Sequence, residues 1–225
     1  MSQEWVIAGG GYGGLYLIRA LLEELPAGVR VTLVDRLPKS PLKTEFYSVA
    51  AGTASLKDVT LAFPAHPRMR TVFDEVTGVD QDRKLLHLRE NGDLPYDALV
   101  VALGCVDRFH GIQGAEEHSL SLQTLKKTQW TGQEILTLDA YRSAVMIGAG
   151  LTGVELAAEL RESRPDLNVV VVDRNERVLN GFSGRLREYV ERWLTRHDVR
   201  ILHRVHTRAV WPGHLETDQG DVPYD

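Results

Sequence analysis

Two six-residue stretches carry the residue types and spacing that chemistry needs: Gly9-Gly10-Gly11-Tyr12-Gly13-Gly14 and Gly148-Ala149-Gly150-Leu151-Thr152-Gly153. Each has glycine at its first, third and sixth positions, and about 20 residues after the last glycine each is followed by an aspartate, Asp35 or Asp173, closing an apolar run. In such a pattern the first glycine permits a tight turn, the second lets backbone reach a pyrophosphate, and the third lets a helix pack on a strand. The N-terminus of that helix aims its unpaired N–H groups at the phosphates. The acid accepts hydrogen bonds from ribose hydroxyls. A glycine turn in a sheet that binds nothing could share the glycines, but a strand, a helix and an acid accompany both copies. Two dinucleotide sites are the better account.

The elements that must position these residues follow from periodicity. Residues 5–8 read as a strand, after which Leu17, Ile18, Leu21, Leu22 and Leu25 share one face of a helix that Pro26 and Gly28 end. Residues 29–34 are the next strand. The second copy repeats the plan: a strand at 144–147, a helix carrying Val154, Ala157 and Leu160, Pro165 past its end, and a strand at 168–172. A third landmark is also duplicated, NGDLPYD at 91–97 and QGDVPYD at 219–225. The first copy runs on into residues 98–103, an apolar stretch of the kind that becomes a fully buried parallel strand. The second has no such strand after it, so the second unit is expected to present an unfilled place at its sheet.

Between the units, residues 71–79 and 84–89 read as short strands joined by the polar turn 80–83, a small antiparallel excursion. Residues 119–137 are polar and poorly periodic and read as part of a connector. Ser183 can cap a helix in which Leu186, Tyr189, Val190, Trp193 and Leu194 share a face. Residues 199–202 and 209–211 would be further strands. The fold class is α/β, with two Rossmann-like units: 1–118, a connector at 119–142, and 143–225.

Composition narrows the function classes. The chain has 225 residues, 43% hydrophobic and 25% charged, with a net charge of -5, and its basic residues are interspersed with acids, so nucleic acid is not an expected partner. Cys105 is the only cysteine, which excludes an internal disulfide and any mechanism needing two thiols. It also favours a reducing cytoplasm. No signal-like start and no apolar run near about 20 residues is present, so no membrane span is expected. His203 and His206 lack a third ligand nearby, and no metal site is read. Ser183 in GFSGR only loosely mimics a nucleophile elbow.

With the tandem turns, the second reading IGAGLTGVELAAEL, the chain resembles the two-dinucleotide-binding flavoproteins of the pyridine nucleotide-disulfide oxidoreductase superfamily. VTLVDR, EFYSVAAGT, LPYDALVVALG and VLNGFSGRLREYVERWL resemble, in order, the type II NADH dehydrogenase family. In that family's complete fold the second unit is inserted in the first. The resemblance implies FAD in the first unit and NADH in the second, with hydride passing to flavin and electrons to a quinone or another acceptor. It implies that Gly9, Gly11 and Gly14 hold the FAD pyrophosphate and Asp35 its ribose. Lys43 would lie near the flavin, Val76 would meet the adenine through its backbone, and Ala102 with Gly104 would form the turn leaving the flavin domain. Gly148, Gly150 and Gly153 would face the NADH pyrophosphate and Asp173 its adenosine ribose. Glu155 would project toward the nicotinamide and flavin rings, unless it is an ordinary first-turn acid favoured by the helix dipole.

Two departures qualify the resemblance. Residues 45–52 lack the redox cysteine pair of the disulfide reductases, and Cys105 stands where many relatives have serine, so a small buried residue is expected there. The returning flavin part, the quinone site and the membrane-binding helices of the family would all lie beyond Asp225. The 225-residue chain is therefore expected to be an incomplete form. The complete protein is expected in the cytoplasm, with any peripheral contact to the inner face of the cell membrane made through that absent region. A ferredoxin- or rubredoxin-type reductase and a non-catalytic nucleotide-sensing module remain alternatives.

Overall fold

The computed structural model describes residues 2–225. Its contacts gather into two units, one holding the chain up to Leu42 with Thr60–Val106, the other holding Lys43–Val59 with Asp107–Asp225. This division differs from the linear boundaries expected at 118 and 142, because two segments before residue 119 pack within the second unit.

In the first unit β1 (Gln3–Ala8) leads through the glycine turn into α1 (Tyr12–Glu23) and back to β2 (Val29–Asp35), which pairs with β1 in parallel. β3 (Lys39–Pro41) and β4 (Thr60–Ala62) form an antiparallel pair, and β5 (Met69–Phe73) adds to the outer side of β2. β6 (Val76–Asp80), β7 (Leu85–Leu88) and β8 (Gly92–Pro95) form an antiparallel meander. β9 (Ala98–Val101) then returns to the other side of β1, giving the order β5-β2-β1-β9. Side chains alternate across a strand. Ile7, Val31 and Leu33 thus pack with Ile18 of α1, while Val6, Ala8 and Val34 pack with Leu86 and Leu88 of the meander.

Two local expectations do not hold in the fold. Residues 71–79 are two strands, because Asp74 breaks the run: its amide donates to the Asp35 carbonyl at 3.0 Å, and its buried carboxylate accepts from the amides of Glu75, Glu90 and Asn91 and from the Asn91 side chain. β9 is parallel as expected but is not fully buried. Among the described residues its one strand neighbour is β1, and Val101 is 61% exposed.

The second unit contains α2 (Phe46–Ala50), α3 (Ala115–His118), α4 (Leu125–Thr137), β10 (Ser143–Ile147), α5 (Leu151–Ser163) and β11 (Asn168–Val172). It continues with α6 (Gly184–Arg196), β12 (Arg200–Leu202), β13 (Thr207–Trp211), β14 (His214–Thr217) and β15 (Val222–Pro223). The parallel sheet β10-β11-β12 buries Val169 and Val171 with Ala157 and Leu160 of α5, and Val170 and Val172 with Val210 and Leu215 of a second antiparallel meander. Ser183 caps α6 as expected, its Oγ accepting from the Leu186 amide at 3.4 Å.

Residues 119–137 hold more structure than their polarity indicated. Thr124 caps α4, accepting from the Lys127 amide at 3.2 Å, and the buried face of this helix is Thr128, Thr131, Gly132 and Ile135. Small and hydroxylic residues make that face, so hydrophobic periodicity does not show it. They allow close approach: a Cβ on Gly132 would stand 3.1 Å from the Val49 carbonyl oxygen of α2.

The duplicated PYD phrase has one job in both units. Asp97 exchanges two hydrogen bonds with Glu4, amide to carbonyl at 2.8 Å and carboxylate from amide at 2.7 Å, at the start of β1. Asp225 does the same to Ser143 at the start of β10, at 3.2 and 2.8 Å. Each aspartate ties the end of a meander to the first strand of its unit. Among the described residues, however, β1 has strand partners on both sides and β10 only β11. A cavity of about 620 Å³ lies along β10, its lining including Val145, Ile147, Leu156, Tyr224 and Asp225.

Asp74 makes the stability of the first unit acid-sensitive. Burial alone would raise its carboxyl, but the hydrogen bonds from Asn91, Glu75 and Glu90 outweigh this and hold it at about 2. The folded value lies below the unfolded one, so the contribution is complete above about 4 and is lost as pH falls toward about 2. Asp74→Asn is expected to flatten the stability profile across that interval, as denaturant unfolding followed at a series of acid pH values would show.

Candidate functional site

The first glycine turn is built by backbone crowding at two of its three key positions. Gly9 is buried at φ 104°, its amide donates to the Val34 carbonyl at 2.8 Å, and a side chain there would run into the Ala102 carbonyl. Gly14 faces the Gly9 carbonyl so closely that any Cβ would collide with it. Gly11, the N-cap of α1, is different: its φ of -71° suits any residue, and beyond its own chain neighbours no described atom lies within 4 Å of where a Cβ would be.

In the second turn the last glycine is again crowded, while the first has open space and is set by its positive φ. Gly148 sits at φ 106° with its amide on the Val172 carbonyl at 2.8 Å, and a Cβ on Gly153 would collide with the Gly148 carbonyl. Gly150 caps α5 at φ -76° with open space around it. The fold thus accounts for the first and last glycines of each turn and not for the middle one. Open space at a helix N-terminus, kept free of side chain, is where a phosphate would sit. The residues present therefore fit a dinucleotide in both units.

Asp35 and Asp173 stand at or just past the ends of β2 and β11, half-buried. Each has one carboxylate oxygen on the turn and the other on the loop beyond. Asp35 accepts from the amides of Gly10 at 2.6 Å and Leu37 at 2.8 Å, and Asp173 from the amides of Ala149 and Asn175, both at 2.6 Å. A carboxylate offers about four lone-pair sites, so two remain for ribose hydroxyls.

The other expected residues are distributed as follows. Ala102 donates its amide to the Ala8 carbonyl at 2.7 Å and so backs the first turn, and Gly104, at φ 79°, turns the chain after β9. Val76 begins β6 and packs partly buried against the sheet. Lys43 is exposed in a short 3₁₀ turn and belongs by its contacts to the second unit. Cys105 is exposed, contrary to the expectation of a buried residue, because the sheet ends at Val101 and the chain leaves it there.

Glu155 lies in the second turn of α5, beyond the reach of the dipole at Leu151, and the first turn holds no acid, which removes the first-turn reading. Its partners come from the segment before it in sequence. Burial raises the Glu155 carboxyl above its ordinary range, and the Glu45 carboxylate adds to that. Tyr47 is raised first by burial, then by Glu45, Glu159 and Glu155. Thr53 hydrogen-bonds Glu159 from the same segment. A carboxyl in this setting holds a proton more readily than a surface glutamate.

The model of the pyridine nucleotide-disulphide oxidoreductase family matches residues 3–222. The chain belongs to this family. It is 41% identical over 209 residues to the NADH dehydrogenase-like protein YutJ of Bacillus subtilis, covering 92% of this chain and 59% of that protein. It is 27% identical over 217 residues to a type II NADH:quinone oxidoreductase of Staphylococcus epidermidis, covering 84% of this chain and 53% of that one. The structure of NDH2 from Plasmodium falciparum in complex with NADH superposes with a TM-score of 0.85 at 16% identity, over all of this chain and 54% of that one, which speaks for the fold alone. The chain thus spans little more than half the length of these relatives. No helix of its described residues is long and apolar enough to cross a membrane.

Sequence reasoning missed the residues that shape the turns from outside. Phe63 presses on Gly10, where a Cβ would stand 2.6 Å from the ring's Cζ. In the second unit the Leu179 amide donates to the Ala149 carbonyl at 2.8 Å, with Leu179 buried at the left-handed φ of 51°. Asn180-Gly181 after Leu179 was the available signal, since such pairs mark turns.

The glycines separate fold from ligand. Gly153→Ala is expected to cost about 1–3 kcal/mol of stability, since the methyl meets a carbonyl. Gly150→Ala should stay within about 0.5 kcal/mol and yet weaken nucleotide binding about tenfold or more. Thermal unfolding and NADH titration of both variants check this.

Proposed function

We propose that the chain is the nucleotide-binding part of a flavin-dependent NADH dehydrogenase, with FAD in the first unit and NADH in the second. The observation that carries it is the open middle glycine of each turn, Gly11 and Gly150, beside a strand-end carboxylate. The names of the Bacillus subtilis and Staphylococcus epidermidis relatives support the choice of NADH and, for the latter, of a quinone as acceptor.

In this reading Gly9, Gly11 and Gly14 leave room for the FAD pyrophosphate at the start of α1, and Asp35 accepts from its ribose. The Val76 backbone meets the adenine, Ala102 and Gly104 shape the exit of the flavin domain, and Lys43 lies near the flavin. Gly148, Gly150 and Gly153 do for NADH what the first three do for FAD, with Asp173 on the adenosine ribose. Glu155 would serve the hydride transfer, its raised carboxyl limiting negative charge and able to hold a proton. A bound flavin supplies the hydride acceptor, and the protein supplies position and electrostatics.

The 225 residues by themselves are expected to hold FAD weakly, so the test is anaerobic addition of NADH to the full-length protein loaded with FAD. Loss of the visible flavin absorbance is the expected result, and binding of NADH without bleaching would instead support a nucleotide-sensing module. Turnover with a small iron–sulfur protein in place of a soluble quinone would move the assignment to a ferredoxin-type reductase. Asp173 should also set coenzyme choice, because its carboxylate accepts from a 2′-hydroxyl and repels a 2′-phosphate. A preference for NADH over NADPH of about tenfold or more is expected, narrowed in Asp173→Ser. Equal dissociation constants in the unmutated chain would remove the role from Asp173.

A further inference from the structure

We propose that Asp35 and Asp173 are positioning residues for the pyrophosphate half of each site: in the nucleotide-free protein each carboxylate clasps its glycine turn to the loop beyond the second strand. This rests on the reading that both turns take a dinucleotide, and it adds a task that ribose recognition does not require.

The two units share the glycine turn itself but differ in the residues that meet the carboxylate and in what packs on the turn from outside. The residue whose amide meets the carboxylate on the turn side is Gly10 in one unit and Ala149 in the other, and on the loop side Leu37 or Asn175. What presses on the turn also differs, the Phe63 ring in the first unit and the Leu179 amide in the second. The carboxylate bridge nevertheless recurs with the same oxygen assignments, 2.6 and 2.8 Å in the first unit and 2.6 Å twice in the second.

Gly10 and Ala149 are both buried, so solvent does not replace a lost acceptor there. The bridge also needs two acceptors on one short side chain. Aspartate supplies both, whereas asparagine supplies one oxygen and turns an NH₂ toward the other amide. The turn is thereby held before any ligand arrives, with the carboxylate's remaining lone pairs left for ribose. Ribose capture and pyrophosphate capture become coupled through one side chain, and a ligand with no ribose should still sense the aspartate.

Amide hydrogen exchange of the nucleotide-free protein decides the clasp. In Asp173→Asn the amides of Ala149 and Asn175 should exchange about tenfold faster or more (a factor worth ~1.4 kcal/mol), while those of β11 keep their protection. Asp35→Asn should do the same at Gly10 and Leu37, and either variant reports if the other fails to fold. Inorganic pyrophosphate, measured by competition with NADH, should lose affinity in Asp173→Asn together with NADH. Unchanged exchange at Ala149 and Asn175, an equal rise throughout β10 and β11, or weakened NADH binding with undiminished pyrophosphate binding would each overturn the proposal. Should the unmutated chain bind no NADH, the exchange data still decide the clasp, so the two readings fail separately.

Discussion

A glycine hydrogen facing a carbonyl oxygen sets the geometry on which both units depend. Gly14 over the Gly9 carbonyl, and Gly153 over that of Gly148, let a helix start almost on top of the strand that precedes it. With a side chain at either position the helix would have to stand off, and its N-terminal amides would no longer converge above the strand end. The first glycine of each turn serves the same end by taking a positive φ, which sends the chain back over the sheet. Both demands come from the protein's own backbone. The middle glycine answers to no such demand, and for that reason it is the one that speaks for a ligand.

Around this shared turn the units are built from the same two cores. Alternate residues of the strands bury one face against the helix and the other against a three-stranded meander, and the meander's last residues reach back to fasten the first strand. Asp97 and Asp225 make that fastening with paired backbone and carboxylate hydrogen bonds. The duplication is thus of a closed structural cycle, from first strand to turn, helix, second strand, meander and back to the first strand. Differences are confined to what fills the space around it, such as Phe63 against one turn and Leu179 against the other.

The acidic side of the second unit shows how a short early segment alters a later helix. α2 packs against α4 and α5, and its close approach to α4 depends on Gly132. The same segment brings Glu45, Tyr47 and Thr53 to the face of α5 that carries Glu155 and Glu159. Like charges gathered at a partly buried surface favour protonated forms. The raised Glu155 carboxyl is a product of this packing and not of its place on the helix.

The turns, their strands and helices, the two carboxylates and the antiparallel excursion were all legible in the chain itself, because each depends on local chemistry: the absence of a Cβ, the period of apolar residues, an acid at a strand end. The break at Asp74 was not, since an acid amid β-forming neighbours does not by itself end a strand, and only hydrogen bonds from Asn91 and Glu90 reveal that the aspartate gathers a distant loop. Nor was α4, whose buried face of threonine and glycine carries no hydrophobic signal until α2 is laid against it. The exposure of Val101 and Cys105 depends on β9 being an edge strand, a matter of sheet order. Where the chain can turn follows from residue types a few positions apart, and so could be read before any fold was known. Which segments pack together could not, because burial and charge proximity arise from residues far apart along the chain.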